Sequence, residues 1–217
     1  MFSRLDLESL VYILIAMVIA LTVHEASHAF AAYRLGDPTA KALGRLSLNP
    51  LVHLDPLGSL LIVMTMLTGF GIGWGKPVPV DSHYLRPNPK TGMALVSAAG
   101  PLSNILTAFV LFLPVRLGLD VYSNDLLAGL VTTVIQLSVL LGCFNLIPLP
   151  PLDGFSILLG ILPARQAYSV SRLAQYGLGP IFVIIMADSW LHLSILSRVL
   201  GPVVNAVYSL ITGQRLL

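Results

Sequence analysis

The chain has 217 residues, of which 56% are hydrophobic and only 10% are charged, and its mean hydropathy is +0.86. Soluble domains usually carry about 25% charged residues, so this composition excludes an ordinary soluble domain. The net charge of +2 is too small to indicate a nucleic-acid-binding protein, and the single cysteine, Cys143, excludes an internal disulfide and a cysteine-based zinc site. We expect one domain, residues 1–217, that forms an all-α polytopic membrane protein with about five or six transmembrane helices.

The first predicted helix covers residues 7–33 and contains the sequence His24-Glu25-Ala26-Ser27-His28. Positions i and i+4 share one face of a helix, so both histidines can bind one metal ion, and Glu25 lies beside it. Ionisable side chains inside an apolar span are costly without a function. The pattern therefore predicts a metal site roughly 9–15 Å inside the C-terminal end of the helix.

The next stretch, residues 38–56, alternates polar and apolar residues and is punctuated by glycine and proline. Arg45, Ser47 and Asn49 alternate with leucines, and this period of two predicts short β strands between the first and second full spans. His53 and Asp55 have two open interpretations: polar groups near the metal site, or a solvated loop pair.

Residues 57–74 form an apolar stretch that ends in closely spaced glycines, and they could either span the membrane or enter it and return. Residues 76–80 follow as Lys-Pro-Val-Pro-Val, where alternate prolines exclude a helix and favour an extended chain. Residues 81–90 are polar and rich in proline, which predicts a loop.

Two further helices are predicted at residues 91–115 and 126–144. In the first, Gly100 and Ser103 are small enough for close helix packing, and we expect Asn104 to bond a neighbouring helix rather than substrate. The second ends in Asn145-Leu146-Ile147-Pro148-Leu149-Pro150-Pro151-Leu152-Asp153-Gly154, whose prolines stop a helix. Irregular backbone at membrane depth lines a cavity or is buried in protein. Asp153 is then either a third metal ligand or part of a polar turn at the membrane surface.

Three apolar segments complete the chain: a short helix at residues 155–162, a helix at 168–187 and a last helix at 193–212. We interpret His192 as a surface residue near the membrane interface.

The membrane topology depends on whether Asp153 meets the two histidines. If it does, residues 57–74 must be re-entrant or cross the membrane an even number of times, so that the chain leaves and re-enters on one side. Most cations then share one side, which the positive-inside rule identifies as cytoplasmic. The predicted cytoplasmic group is Arg34, Lys41, Arg45, Lys76, Arg86, Lys90, Arg165, Arg172 and Arg215, and the opposite group is Arg4, Arg116 and Arg198.

The motifs at residues 24–28 and 145–154, supported by Ala99-Gly100-Pro101-Leu102-Ser103-Asn104, resemble those of the site-2 protease family of intramembrane zinc metalloproteases. The chain is similar to a compact prokaryotic member without a PDZ domain. The resemblance implies one Zn²⁺ per chain with His24, His28 and Asp153 as ligands, Glu25 as the catalytic glutamate and Asn145 as an aid to substrate or oxyanion binding. It also implies a catalytic core at about residues 7–160 and accessory C-terminal helices at about 165–213.

The function implied by this resemblance is cleavage of transmembrane segments in single-pass membrane proteins, in a prokaryotic plasma membrane, with the active site nearer the cytoplasmic face. Substrate would unwind locally and pair by strand addition with residues 47–49 or 78–80. Two alternatives stay open: a membrane metal transporter, and a proteolytically silent membrane binding protein. The gathering of ionisable residues at one depth favours catalysis over transport.

Overall fold

A computed structural model describes residues 7–68, 73–119, 123–191 and 194–216. Arg4, His192 and two glycines of the stretch at 57–74, Gly69 and Gly71, lie outside these residues. The described chain is helical, with α1 at Leu7–Arg34, α2 at Thr39–Ala42, α3 at Pro56–Thr68, α4 at Pro89–Arg116, α5 at Asp125–Asn145, α6 at Asp153–Ile161, α7 at Ala164–Ser171, α8 at Gly179–Leu191 and α9 at Ile195–Thr212. Single 3₁₀ turns occur at Pro50–Val52, Ser82–Tyr84 and Arg172–Tyr176.

Helices α1, α4 and α5 pack against one another and form the centre of the structure. Asparagine side chains cap the N-termini of α4 and α5. Asn88 accepts from the Thr91 N–H, and Asn124 accepts from the first amides of α5. The end of α1 meets the start of α4, where the Arg86 N–H donates to the Leu35 carbonyl. The all-helical prediction is confirmed, and four helices (α1, α4, α5 and α9) are long and apolar enough to cross a membrane. A bent pair, α7–α8, raises that number to five among the described residues, the lower of the two predicted numbers.

The prediction of short strands after α1 is wrong for the described residues, which contain none. The chain instead forms α2 and then a turn in which the Asn49 N–H donates to the Ser47 hydroxyl. The Asn49 side chain in turn accepts from the Leu51 N–H and caps the 3₁₀ turn. These local side-chain bonds to the backbone replace a sheet ladder. The alternation of polar and apolar residues around Arg45 therefore does not mark a strand with one polar and one apolar face, because Arg45 is itself buried.

In the stretch after the 3₁₀ turn, the described residues on either side of positions 69–72 lie against each other. After α3 the chain returns, so that a Cβ on Gly58 would lie 2.0 Å from the Trp74 carbonyl oxygen and one on Gly73 would lie 2.0 Å from Ile62. The Lys76 N–H then donates to the His53 carbonyl. The segment therefore ends beside the point at which it began, and glycines permit the close approach of its two arms.

The prediction of one helix at residues 168–187 is also wrong. The chain there is divided into α7 with its 3₁₀ turn and α8, and the two parts are bent by 68°. Gly177 lies at the break with a φ of +52°, a backbone conformation that glycine adopts without strain.

The last helix, α9, packs through Val204, Tyr208 and Ile211 against apolar residues of α4 and α5. The Arg116 guanidinium at the end of α4 donates to the Leu210 and Ile211 carbonyls. The end of α9 therefore lies beside the end of α4. Arg215, four residues later, belongs at this end of the bundle, which corrects its predicted placement with the cytoplasmic cations.

Candidate active site

Three side chains from two distant parts of the sequence converge at the centre of the bundle. The Nε2 atoms of His24 and His28 lie 3.0 and 3.3 Å from the Asp153 Oδ2. Their candidate ligand atoms all lie within 4.8 Å of one another, and both histidines are buried. The structure thus brings together the residues of the two sequence motifs, and of the two interpretations of Asp153 it favours the metal ligand over the surface turn.

The local sequence explains why Asp153 arrives here. The break after α5 folds back on that helix so tightly that a Cβ on Gly154 would lie 2.2 Å from the Leu146 carbonyl oxygen. Only glycine tolerates this approach, and it is the second residue of α6. Asp153 is the first residue of that helix and turns inward toward α1.

Helix α4 supplies the wall behind the histidines. The His28 Nδ1 lies 2.8 Å from the Val96 carbonyl, to which it donates, so its Nε2 is left as a free ligand atom. A Cβ on Gly100 would lie 2.5 Å from the His28 Nε2 and 2.7 Å from the His24 Cε1. Sequence reasoning assigned Gly100 to helix packing and missed this contact with the imidazoles, although the glycine itself was noted.

The arrangement fits a zinc ion. Zinc bonds of about 2.0–2.1 Å place neighbouring ligands of a tetrahedral site roughly 3.3–3.4 Å apart, close to the two separations between imidazole and carboxylate. The Asp153 Oδ2 forms no well-aligned hydrogen bond among the described residues, although both imidazole Nε2 atoms lie within 3.3 Å of it. With the His28 Nδ1 bonded to Val96, a neutral His28 ring presents its Nε2 lone pair beside the same Asp153 oxygen. The donor set, two imidazoles and one carboxylate, is one that catalytic zinc sites use.

Glu25 is buried next to His24, and its Oε2 accepts a hydrogen bond of 3.1 Å from the Val78 N–H. The predicted extended stretch therefore passes directly over the predicted catalytic carboxylate. This contact was not expected, because nothing in the local sequence pairs residues 53 positions apart.

Asn145, the last residue of α5, lines the cavities on both sides of Glu25. Its Nδ2 donates to the Leu141 carbonyl at 3.0 Å, one turn earlier in the same helix. The amide has a second hydrogen, so this bond leaves one donor for another partner.

Of the two residues with open interpretations, His53 is fully buried but belongs to the loop beneath residues 76–77, where it contacts Arg45. Asp55 accepts from the Gly58 N–H at the start of α3. The metal-binding group of the described residues contains neither.

Two cavities meet at these residues. One, of about 280 Å³, is lined by polar and apolar groups that include Val78, Val80 and Ser97. The other, of about 520 Å³, is mainly apolar and is bounded by Leu21, Ile62, Trp74, Phe144 and Ile181. Both include His24, Glu25 and Asn145 in their walls.

Comparison with known proteins decides the family. The chain is 38% identical over 202 residues to YwhC of Bacillus subtilis, which is named a zinc metalloprotease, and the match covers 90% of this chain and 86% of YwhC. The profile of Peptidase family M50 matches residues 114–187. The chain belongs to the M50, or site-2 protease, family.

Other members of the M50 family are similar over most of this chain. Rip2 of Mycobacterium tuberculosis, also named a zinc metalloprotease, is 32% identical over 82% of the chain and 68% of its own length. The zinc metalloprotease MJ0392 of Methanocaldococcus jannaschii is 26% identical over 79% of the chain and 40% of its own length. No solved structure matches. This M50 protein is accordingly a zinc metalloprotease with several apolar helices, a multi-pass integral membrane protein.

Proposed function

We propose that this metalloprotease cleaves peptide bonds inside the membrane-spanning segments of single-pass membrane proteins. The observation that carries the proposal is the depth of the metal-binding group. His24 and His28 lie within α1, a helix of 28 residues, and both are followed by more helix before Arg34. A helix of that length is about 42 Å long, so a bond cleaved at the histidines lies inside the apolar layer.

We assign His24, His28 and Asp153 as the zinc ligands, with one ion per chain. Zinc in such a site supplies a Lewis acid and lowers the pKa of bound water toward about 7. Glu25 accepts the proton of the attacking water and delivers it to the leaving amine. The Val78 N–H keeps the Glu25 carboxylate turned toward the ligands, and Asn145 offers its second amide hydrogen to the developing oxyanion.

The two cavities suggest how substrate and water are separated. The larger, apolar cavity suits the side chains that flank the cleaved bond in a transmembrane segment. The smaller cavity borders the extended segment and includes Ser97, and it provides the route by which water reaches Glu25. The cleaved bond lies where the two cavities meet.

We propose residues 78–80 as the edge on which substrate adds as a strand. The backbone N–H and C=O of Val80 have no partner among the described residues, and the segment is extended. An unpaired extended edge binds an unwound peptide through main-chain hydrogen bonds. Residues 47–49, the other candidate edge, are excluded because their polar groups form the turn before the 3₁₀ helix.

We further propose that the stretch at residues 56–76 is re-entrant and that the active site opens toward the cytoplasm of a prokaryotic cell. The stretch begins just after His53 and returns to it at Lys76, beside the 3₁₀ turn that contacts α1. A tag inserted between residues 81 and 90 is then accessible only from the cytoplasm. Labelling of that tag from outside intact cells would overturn the layout.

The chain also forms one proteolytic domain in this proposal, with its catalytic core at residues 7–160. The described residues of α9 support the core through the apolar cluster on α4 and α5, whereas α8 borders the apolar cavity through Ile181.

The experiment that tests the function uses the purified full-length protein in proteoliposomes with a single-pass substrate. We expect cleavage that stops on chelation and returns when zinc is added. Metal uptake into the vesicles without cleavage would select the transporter. Zinc binding with neither cleavage nor transport would select the silent binding protein.

A further inference from the structure

A buried arginine lies behind the extended segment. Arg45 is only 5% exposed, and its guanidinium donates to the Lys76 carbonyl at 2.5 Å and to the Pro77 carbonyl at 3.2 Å. No carboxylate among the described residues forms an ion pair with it. Burying a charge is costly unless other groups compensate for its lost hydration, so the cation needs a counterpart.

His53 contacts that arginine and supports its position. Its ring is fully buried, and Nε2 lies 2.7 Å from the Ser47 carbonyl, which can only accept, so Nε2 carries the hydrogen. The Nδ1 lone pair then faces the Arg45 guanidinium at 3.5 Å, the outer limit of a hydrogen bond. The His53 carbonyl also accepts from the Lys76 N–H. One residue thus holds both the arginine and the segment that the arginine contacts.

A carboxylate holds the far end of the same segment. Asp37 is fully buried, and its Oδ2 accepts from the Asp81 N–H at 2.8 Å while its Oδ1 accepts from the Thr39 N–H at 2.9 Å. Residues 76–81 are therefore fixed at both ends. Between these two anchors the Val78 N–H reaches Glu25.

The link to Glu25 runs through one peptide unit. The Pro77 carbonyl, which accepts from Arg45, and the Val78 N–H, which donates to Glu25, belong to the same planar peptide group. Its C=O and N–H point in opposite directions, so fixing the oxygen also fixes the N–H. The peptide dipole lies between a cation and an anion, and each hydrogen bond polarises the other. Consistent with this, burial lowers the pKa of Arg45, and the negative charge of Glu25 opposes that effect.

We propose that Arg45, whose guanidinium contacts the His53 ring, is a positioning residue for Glu25 that acts through the Pro77–Val78 peptide. The proposal rests on the proposed role of Glu25 in proteolysis, and it assigns a function to a buried loop cation that touches neither zinc nor substrate. Removing the guanidinium releases the peptide, and the carboxylate then samples orientations that are unproductive for proton transfer. Ground-state binding of substrate depends on the apolar cavity and is affected less.

The test compares Arg45→Gln and Arg45→Lys with Lys41→Gln, a matched control. Lys41 is an exposed cation of α2, four residues before Arg45, and its ammonium contacts Tyr33 on the surface of α1. We expect Arg45→Gln to keep one zinc per chain, to lose roughly 10- to 100-fold in kcat and to change KM by less than about threefold. Arg45→Lys should recover part of kcat, because one ammonium cannot bond both carbonyls with the geometry of a guanidinium. Lys41→Gln should match the unmodified protein.

A second readout does not need activity. Amide hydrogen exchange at Lys76 and Val78, the two hydrogen-bonded amides of the segment, should accelerate at least tenfold in Arg45→Gln and stay unchanged in Lys41→Gln, measured in the zinc-free full-length protein. This measurement tests the positioning role even if the protein cleaves no substrate. Failure of the positioning role can therefore be distinguished from failure of the proposed function. An unchanged kcat in Arg45→Gln would overturn the proposal, as would zinc loss in proportion to activity or unchanged exchange at Lys76 and Val78.

Discussion

Replacing Gly100 by alanine tests whether α4 sets the distance between the two histidines. A new Cβ would lie 2.5 Å from the His28 Nε2 and Cε1 and 2.7 Å from the His24 Cε1. Ordinary contact between such atoms needs roughly 3.5 Å, so each ring must move by about 0.8–1.0 Å. Zinc sites tolerate changes of only about 0.2 Å in ligand distance.

We therefore expect Gly100→Ala to weaken zinc affinity by at least about 100-fold while the protein still folds. Alanine is the better helix former, by about 0.8–1.0 kcal/mol, which offsets part of the strain. The histidines can also relax toward the cavities, so the displacement affects the site more than the bundle. Zinc content after dialysis against graded chelator concentrations measures the affinity, and detergent size-exclusion chromatography verifies the fold.

Gly142→Ala is the matched control for this substitution. Its Cβ would meet the Pro101 carbonyl oxygen at 3.0 Å between α4 and α5, away from the imidazoles. It adds the same methyl group between packed helices with a milder contact, and we expect it to retain zinc. If Gly100→Ala retained zinc as well as Gly142→Ala does, the claim that α4 sets the distance between His24 and His28 through Gly100 would be refuted.

Three other substitutions separate metal binding, proton transfer and substrate docking. Glu25→Gln should retain zinc and lose at least about 100-fold in kcat, and near-normal cleavage would remove Glu25 as the general base. Asp153→Asn should lower zinc content without unfolding the protein, because the amide is a weaker ligand; full zinc occupancy at limiting metal would argue against Asp153 as a ligand. Val80→Pro should raise KM about tenfold with zinc unchanged, since it removes the free edge N–H, and an unaltered KM would exclude strand addition there.

The sequence motifs identified the residues that meet at the site, because each motif can be read from the spacing and type of residues that are neighbours in the sequence. The spacing of His24 and His28 places both on one helix face, and the prolines before Asp153 require irregular backbone at membrane depth. The structure brings these three residues together, and the comparisons confirm the family. Zinc binding by these particular residues and the role of Glu25 stay predictions.

Other features depend on tertiary contacts that no local pattern contains. The alternation around Arg45 predicted strands, but the guanidinium is turned inward because it bonds carbonyls 31 and 32 residues away. The break at Gly177 requires a positive φ inside an apolar stretch, where hydropathy alone favours a continuous helix. Arg215 was misplaced because the direction of α9 depends on its packing against α4, which Arg116 reveals only in the folded structure.

The account is tested most directly by mapping the cut in a bilayer. A single-pass substrate with an isotope-labelled transmembrane segment, reconstituted with the full-length protein, is analysed by mass spectrometry after incubation with and without a chelator. We expect zinc-dependent cleavage within the apolar segment, nearer its cytoplasmic end, and no such product from Glu25→Gln. A cut confined to the water-exposed flanks, or one that persists in Glu25→Gln, would contradict the claim that these residues form a proteolytic centre inside the membrane.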